Sequence, residues 1–204
     1  MRAVVVGSGR SGSKWAAVVL RVAGYRAGHE QAYTTGMLAD DSPPDHRWAE
    51  VLDVDCTLAA VPYLLGLTQV RRVLLVRHPL GFATSLCSSG PLLAGSAPAG
   101  LTTHLHAHHP DVMAATSEAE AAVRFWTVWN SMAAKHADVI LRLEDVTPAG
   151  LVAACDLVPR LAMLPVPPVG AGPRDVPVSW DDVPDDVADE ARTLAARMFG
   201  YHDG

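Results

Sequence analysis

The stretch Gly7-Ser8-Gly9-Arg10-Ser11-Gly12-Ser13-Lys14-Trp15 carries two cations, Arg10 and Lys14, and the hydroxyl donors Ser11 and Ser13. It follows the β-branched run Val4-Val5-Val6 and opens directly into a helical pattern. Such a turn aims backbone N–H groups and a helix N-terminus at one spot, which makes an anion site. The chemistry it points to is the holding of a phosphorylated or sulfated ligand. The ATP-type phosphate loop reads G-x-x-x-x-G-K-[ST]. Gly7 and Gly12 keep that spacing, but Ser13 precedes Lys14, so the Lys–Ser order is reversed. The hydroxyl for Mg²⁺ and the lysine for the β- and γ-phosphates have exchanged places, which argues against a Mg²⁺-dependent kinase or NTPase.

A second cation stands at the end of Val73-Leu74-Leu75-Val76, in Arg77-His78-Pro79, and Ser85 follows in the first turns of the next helix. A guanidinium suits bidentate phosphate binding. An ATPase would want an acidic residue near such a strand end, and this chain offers Arg.

These residues need a scaffold, and the pattern supplies one. Short apolar runs near residues 2–6, 25–28, 52–55, 70–76 and 139–143 read as strands, and helical periodicity fills much of the rest. Helices are expected from Ser13 to Ala23 with Gly24 as the stop, over 59–65, over 81–87, after Ser117, after Thr147-Pro148, and over 185–199. Ser117-x-x-Glu120 reads as a capping box, ahead of the stripe Ala122, Phe125, Trp126, Trp129 and Met132. Residues 34–47, with Asp40, Asp41, Pro43 and Pro44, read as loop, and 161–184 as proline-rich loop. Residues 90–110 are rich in Gly, Pro, Ala and His and read as irregular, so 90–116 is expected to be a mobile loop on the acceptor side. Alternating strands and helices imply an α/β protein: a three-layer α/β/α domain over residues 1–204 with a mostly parallel sheet. Ligands then bind at the carboxyl ends of the strands. Gly7–Lys14, His29-Glu30, Arg77 and Glu144 all fall near that edge.

Composition sets the limits. The 204 residues are 50% hydrophobic and 19% charged, with a formal net charge of −6. That disfavours bulk binding of nucleic acid or an anionic membrane, so an anion site must be a local cation cluster. Cys56, Cys87 and Cys155 lie far apart and form no CxxC pair, which indicates neither zinc nor a disulfide framework and fits a reducing cytoplasm. No apolar run is long enough for a signal peptide or a membrane span. His104-x-His106-x-His108-His109 looks metal-like but has no acidic or cysteine partner at ligand spacing, so no metal is expected.

Taken together, these motifs resemble the PAPS-dependent sulfotransferases, in their bacterial form (PAPS is 3′-phosphoadenosine 5′-phosphosulfate). Gly9-Arg10-Ser11-Gly12-Ser13-Lys14-Trp15 is similar to the family's 5′-phosphosulfate loop, and Arg77-His78-Pro79 with Ser85 to its 3′-phosphate motif. Trp126-x-x-x-Asn130, Leu141-Arg142-Leu143-Glu144-Asp145 and Phe199-Gly200-Tyr201 are weaker likenesses. The chain is shorter than many members, and the basic C-terminal loop of cytosolic members has no clear match, Arg174 being a weak substitute.

The resemblance implies a P-loop-like nucleotide-binding fold and transfer of a sulfuryl group from PAPS to a hydroxyl or amine of a small-molecule acceptor. It implies PAP as the product and no metal, while the net charge of −6 argues against a nucleic-acid partner. The acceptor class stays open among sugar, phenol, lipid and secondary metabolite. Arg10 and Lys14 would meet the leaving phosphate, and Arg77 and Ser85 the 3′-phosphate. Some members use a glutamate just after the first helix, which Glu30 matches as general base. His29 is the rival, since imidazole titrates near neutral pH. Asp55 is a further carboxylate near a strand end that would orient the acceptor. Asn130 and Glu144 either serve the nucleotide or satisfy buried backbone groups. A P-loop small-molecule kinase and a non-catalytic nucleotide-binding protein are the alternative readings.

Overall fold

The computed structural model describes residues 1–40, 50–161 and 177–202. Strands β1 (Ala3–Val6), β2 (Ala27–His29), β3 (Val54–Cys56), β4 (Arg71–Val76) and β5 (Val139–Arg142) form one sheet in the order β2-β3-β1-β4-β5. Every adjacent pair is parallel. The period of two decides which side chains enter which core. Val4, Val6, Leu74 and Val76 join one buried cluster, while Ala3, Val5, Val73 and Leu75 join the other. Both faces of β1 and β4 are thus apolar, as a sheet covered on two sides requires.

Helices α1 (Ser13–Val22) and α7 (Pro148–Ala154) cover one face. Helices α3 (Pro79–Ser89), α6 (Glu118–Ala134) and α8 (Asp185–Phe199) cover the other. The result is the three-layer α/β/α arrangement expected from the sequence. The chain leaves β1 toward one face and β4 toward the opposite face, and these two strands are neighbours. In open parallel sheets such a reversal is where ligands bind, at the carboxyl ends of the strands. Gly7 sits at the end of β1, where a side-chain carbon would lie 2.5 Å from the Leu75 carbonyl oxygen.

Several expectations change. The run 59–65 is a 3-10 helix over Val61–Gly66, opened by Pro62, rather than an α-helix. Residues 34–40 contain a single helical turn, α2 (Met37–Asp40); Asp41, Pro43 and Pro44 lie outside the described residues, as does Arg174. Ser117 accepts from the Glu120 N–H as a cap should, but the Glu120 carboxylate turns to the Thr116 N–H and hydroxyl and to Arg124. The reciprocal half of the capping box is therefore displaced by one residue.

The largest difference is at 90–116. Two helices occupy it, α4 (Ala99–His108) and α5 (Pro110–Met113). Leu101, His104 and Leu105 form a buried stripe at i, i+3 and i+4. Helix α4 is seated on the turn before α2, where a methyl at Gly100 would overlap the Thr35 carbonyl. Close packing of backbone on backbone overrides the poor helix propensity of this segment. His104 packs edge-on to Trp129 at 5.7 Å, with the His108 ring 4.5 Å from its own. Partial burial of His109, then the neighbouring His104 and His108, lowers its pKa.

Gly100→Ala gains about 1 kcal/mol of helix propensity but must move a backbone carbonyl, at a cost of about 1–3 kcal/mol. Its Tm should therefore fall. A Gly66→Ala control, in open space, should shift Tm by no more than about 1 °C. Equal Tm values for the two variants would show that α4 does not rest on this contact.

Candidate functional site

Helix α1 begins on Gly12, in left-handed backbone at φ +92, with no side-chain cap and no acidic residue in its first turn. Its opening amides therefore lack the partner that Ser117 gives α6 and Thr147 gives α7. A larger residue at position 12 would be strained at this φ and would also press on Leu143 Cδ1, 2.6 Å from its side-chain carbon. The turn before it is held from within. Ser8 and Ser11, both buried, share a 2.9 Å hydrogen bond between hydroxyls, and Asn130 Nδ2 donates to Ser8 Oγ at 3.3 Å. Asn130 Nδ2 also donates to the Trp126 carbonyl at 2.8 Å, which fixes the amide's orientation. Its Oδ1 is buried and has no hydrogen-bonding partner among the described residues.

Arg77 is brought to this turn directly. Its Nη1 donates to the Arg10 carbonyl at 3.4 Å, and its own carbonyl accepts from the Trp126 indole N–H at 2.8 Å. Arg10 is exposed and reaches across to the Ser89 hydroxyl on α3. Ser85 lies one helical turn before Ser89, and its carbonyl accepts from the Ser89 hydroxyl at 2.5 Å. Lys14 is exposed on the first turn of α1 and makes no ion pair among the described residues. Trp15 is buried in the core beneath α1, so only its backbone can face a ligand.

Beyond Arg77 the strand end is latched. Glu144 accepts from the His78 N–H at 2.9 Å and from the Tyr201 hydroxyl at 2.6 Å. Burial, then Glu144, drives the Tyr201 pKa upward, so this phenol stays a donor. Arg142 donates to the Gly200 carbonyl at 2.9 Å and stands 5.3 Å from the Tyr201 ring. Glu144 therefore satisfies a backbone amide and anchors the C-terminal segment.

On the other flank, β2 ends beside α1. Ser13 Oγ and His29 Nε2 are 3.2 Å apart, which ties His29 to the glycine-rich turn. Glu30 follows at φ +55, half-buried, and its carboxylate makes no hydrogen bond among the described residues. Asp55 differs from its expected role. It is 0% exposed and faces no acceptor; its oxygens accept from the Gln31, Ala32 and Tyr33 amides instead. Burial raises the Asp55 pKa, opposed by those amide hydrogen bonds.

The structure thus brings together Gly9, Arg10, Ser11, Gly12, Ser13, Lys14, His29 and Arg77, with Ser85 on the adjoining helix and Glu30 at the neighbouring strand end. The sequence reading missed Ser8 and Ser89. The spacings Ser8-x-x-Ser11 and Ser85-x-x-x-Ser89 are the signals that would have found them. Among the described residues, no group of three or more His, Cys, Asp or Glu is arranged to hold a metal ion, and no helix is long and apolar enough to cross a membrane.

Tyr201→Phe removes a hydrogen bond to a charged acceptor, worth about 1.5 kcal/mol, and should lower Tm by about 3–6 °C. An unchanged Tm would show that the latch contributes no stability. No protein-family model, curated protein or solved structure matches this chain.

Proposed function

We propose that this chain is a sulfotransferase that moves a sulfuryl group from PAPS to a hydroxyl or amine of a small-molecule acceptor. The observation that carries the reading is the junction of the two cationic segments. Arg77, at the end of β4, bonds the backbone of Arg10 in an anion turn whose helix has no side-chain cap. Two phosphate-binding sets side by side, without a Lys–Ser pair for Mg²⁺, suit a nucleotide with separate 5′- and 3′-anions.

In this reading the amides of α1, Arg10 and Lys14 hold the 5′-phosphosulfate, and Arg77 and Ser85 hold the 3′-phosphate. PAPS supplies the sulfuryl group. The acceptor oxygen or nitrogen bonds to sulfur as the bond from sulfur to the bridging phosphate oxygen breaks. The electron pair stays on that phosphate, where Arg10 and Lys14 meet the charge. Glu30 takes the acceptor proton. The Ser13–His29 contact favours Glu30 over His29, because it engages one imidazole nitrogen while the Glu30 carboxylate makes no hydrogen bond among the described residues. The site works by alignment and charge stabilisation, as in phosphoryl transfer. The three cysteines are free thiols, in keeping with a cytoplasmic setting.

Calorimetry with PAP, AMP and Mg·ATP tests the reading. PAP, with EDTA present, should bind at least about tenfold tighter than AMP, and Arg77→Ala should remove most of that difference. Equal losses for PAP and AMP would take Arg77 out of its role. Tighter binding of Mg·ATP would favour a kinase.

A further inference from the structure

We infer that Asp55 positions Glu30 for proton transfer, through the backbone of the turn that follows it. The inference rests on the sulfotransferase reading. Glu30 is one of two non-glycine residues with positive φ among the described residues, at φ +55; Asp156 is the other. A side chain in left-handed backbone costs about 1–2 kcal/mol, so neighbouring contacts must hold it there.

Contacts on both sides do so. Upstream, the Glu30 N–H donates to the Cys56 carbonyl at 3.2 Å, which extends the β2–β3 ladder by one bond. Downstream, three consecutive amides turn onto one carboxylate. The Gln31 N–H reaches Asp55 Oδ1 at 3.3 Å, and the Ala32 and Tyr33 N–H groups reach Oδ2 at 2.9 and 3.1 Å. The far end of the turn is fixed by Thr57, whose hydroxyl donates to the Tyr33 carbonyl at 2.8 Å. Asp55 lies within β3 and is fully buried, so its carboxylate cannot swing away.

The partner strand makes room for this clamp. A side-chain carbon at Gly28 would lie 2.6 Å from Asp55 Oδ1. Burial of a carboxylate is costly unless hydrogen bonds offset it, and here backbone amides supply them. An ionised carboxylate only accepts, so it suits three converging N–H donors. An amide in its place would turn an NH₂ group toward at least one of them. Glu30 is thus gripped by its backbone on both flanks while its own carboxylate stays unengaged, as a base that must meet a substrate proton requires.

The test compares wild type, Glu30→Gln, Asp55→Asn and the double variant. PAP release from PAPS is followed with water and with 4-nitrophenol as acceptor, and PAP affinity is measured by calorimetry. Asp55→Asn should lower kcat about 10- to 100-fold, with the PAPS KM and the PAP Kd within about threefold of wild type. In the Glu30→Gln background the same change should cost less than about twofold, since the group it positions is already gone. Equal losses in both backgrounds, or a parallel loss of PAP affinity, would overturn the inference and leave Asp55 a general structural residue. Should Asp55→Asn fail to fold, Gly28→Ala presses on the same carboxylate from the other side, and the same comparison with Glu30→Gln applies. A different failure has a different signature. If wild type binds PAP yet releases none from PAPS with water, 4-nitrophenol or a panel of sugar, amine and lipid acceptors, the sulfotransferase reading falls, and this inference falls with it.

Discussion

The close approach of Gly7 to the Leu75 carbonyl is the constraint on which the rest depends. Without a side chain at that position, the chain can leave β1 hard against β4 and turn under it. The glycine-rich turn then lies beside the end of β4, within reach of Arg77. Every other contact of the site builds on that placement. The Trp126 indole holds the Arg77 carbonyl, Asn130 props Ser8 from behind, and Arg10 spans to Ser89 on the opposite layer. A parallel sheet brings strand ends to one edge, and this close approach sets the exit of β1 against β4.

The two flanks of the site are built on different physics. On the β4–β5 side, ionised and aromatic groups do the fastening: Glu144, Tyr201, Arg142 and the His78 ring, 5.2 Å from the Tyr201 ring. On the β2–β3 side, one buried carboxylate and a run of amides do it. The first arrangement fixes a strand end to the C-terminal segment. The second fixes a turn to its neighbouring strand. Between them the cationic side chains of Arg10 and Lys14 are left exposed.

Much of the scaffold was legible because its signals are local. Val4-Val5-Val6 before glycines, Thr147-Pro148 at a helix start and Gly200 at a helix end each specify their own conformation, and helix α8 has the expected bounds. The cationic residues of the site were legible for the same reason, since Arg10, Lys14 and Arg77 follow strands. What was hidden depends on partners distant in the chain. Helix α4 has a composition that reads as loop, and its buried stripe and the Thr35 carbonyl against Gly100 show why it is helical. Asp55 is one acid in a short strand, and no local pattern reveals that three amides from another segment converge on it. The capping box failed in its finer half because Glu120 found both Thr116 and Arg124.

The Tyr201 latch bears on how the molecule comes into being. Its hydroxyl meets the Val76 carbonyl at 3.3 Å across 125 residues of chain. During synthesis the end of β4 leaves the ribosome long before that phenol exists. Helix α6, β5 and Glu144 emerge in between, and each adds a contact to the strand end before Tyr201 arrives to complete the set. A nascent chain halted before residue 201 would carry both cationic segments yet lack the fastening at one flank. Closing so long a loop costs entropy that only near-complete packing offsets. The fastening of this strand end is therefore completed late in synthesis, by a residue just beyond α8.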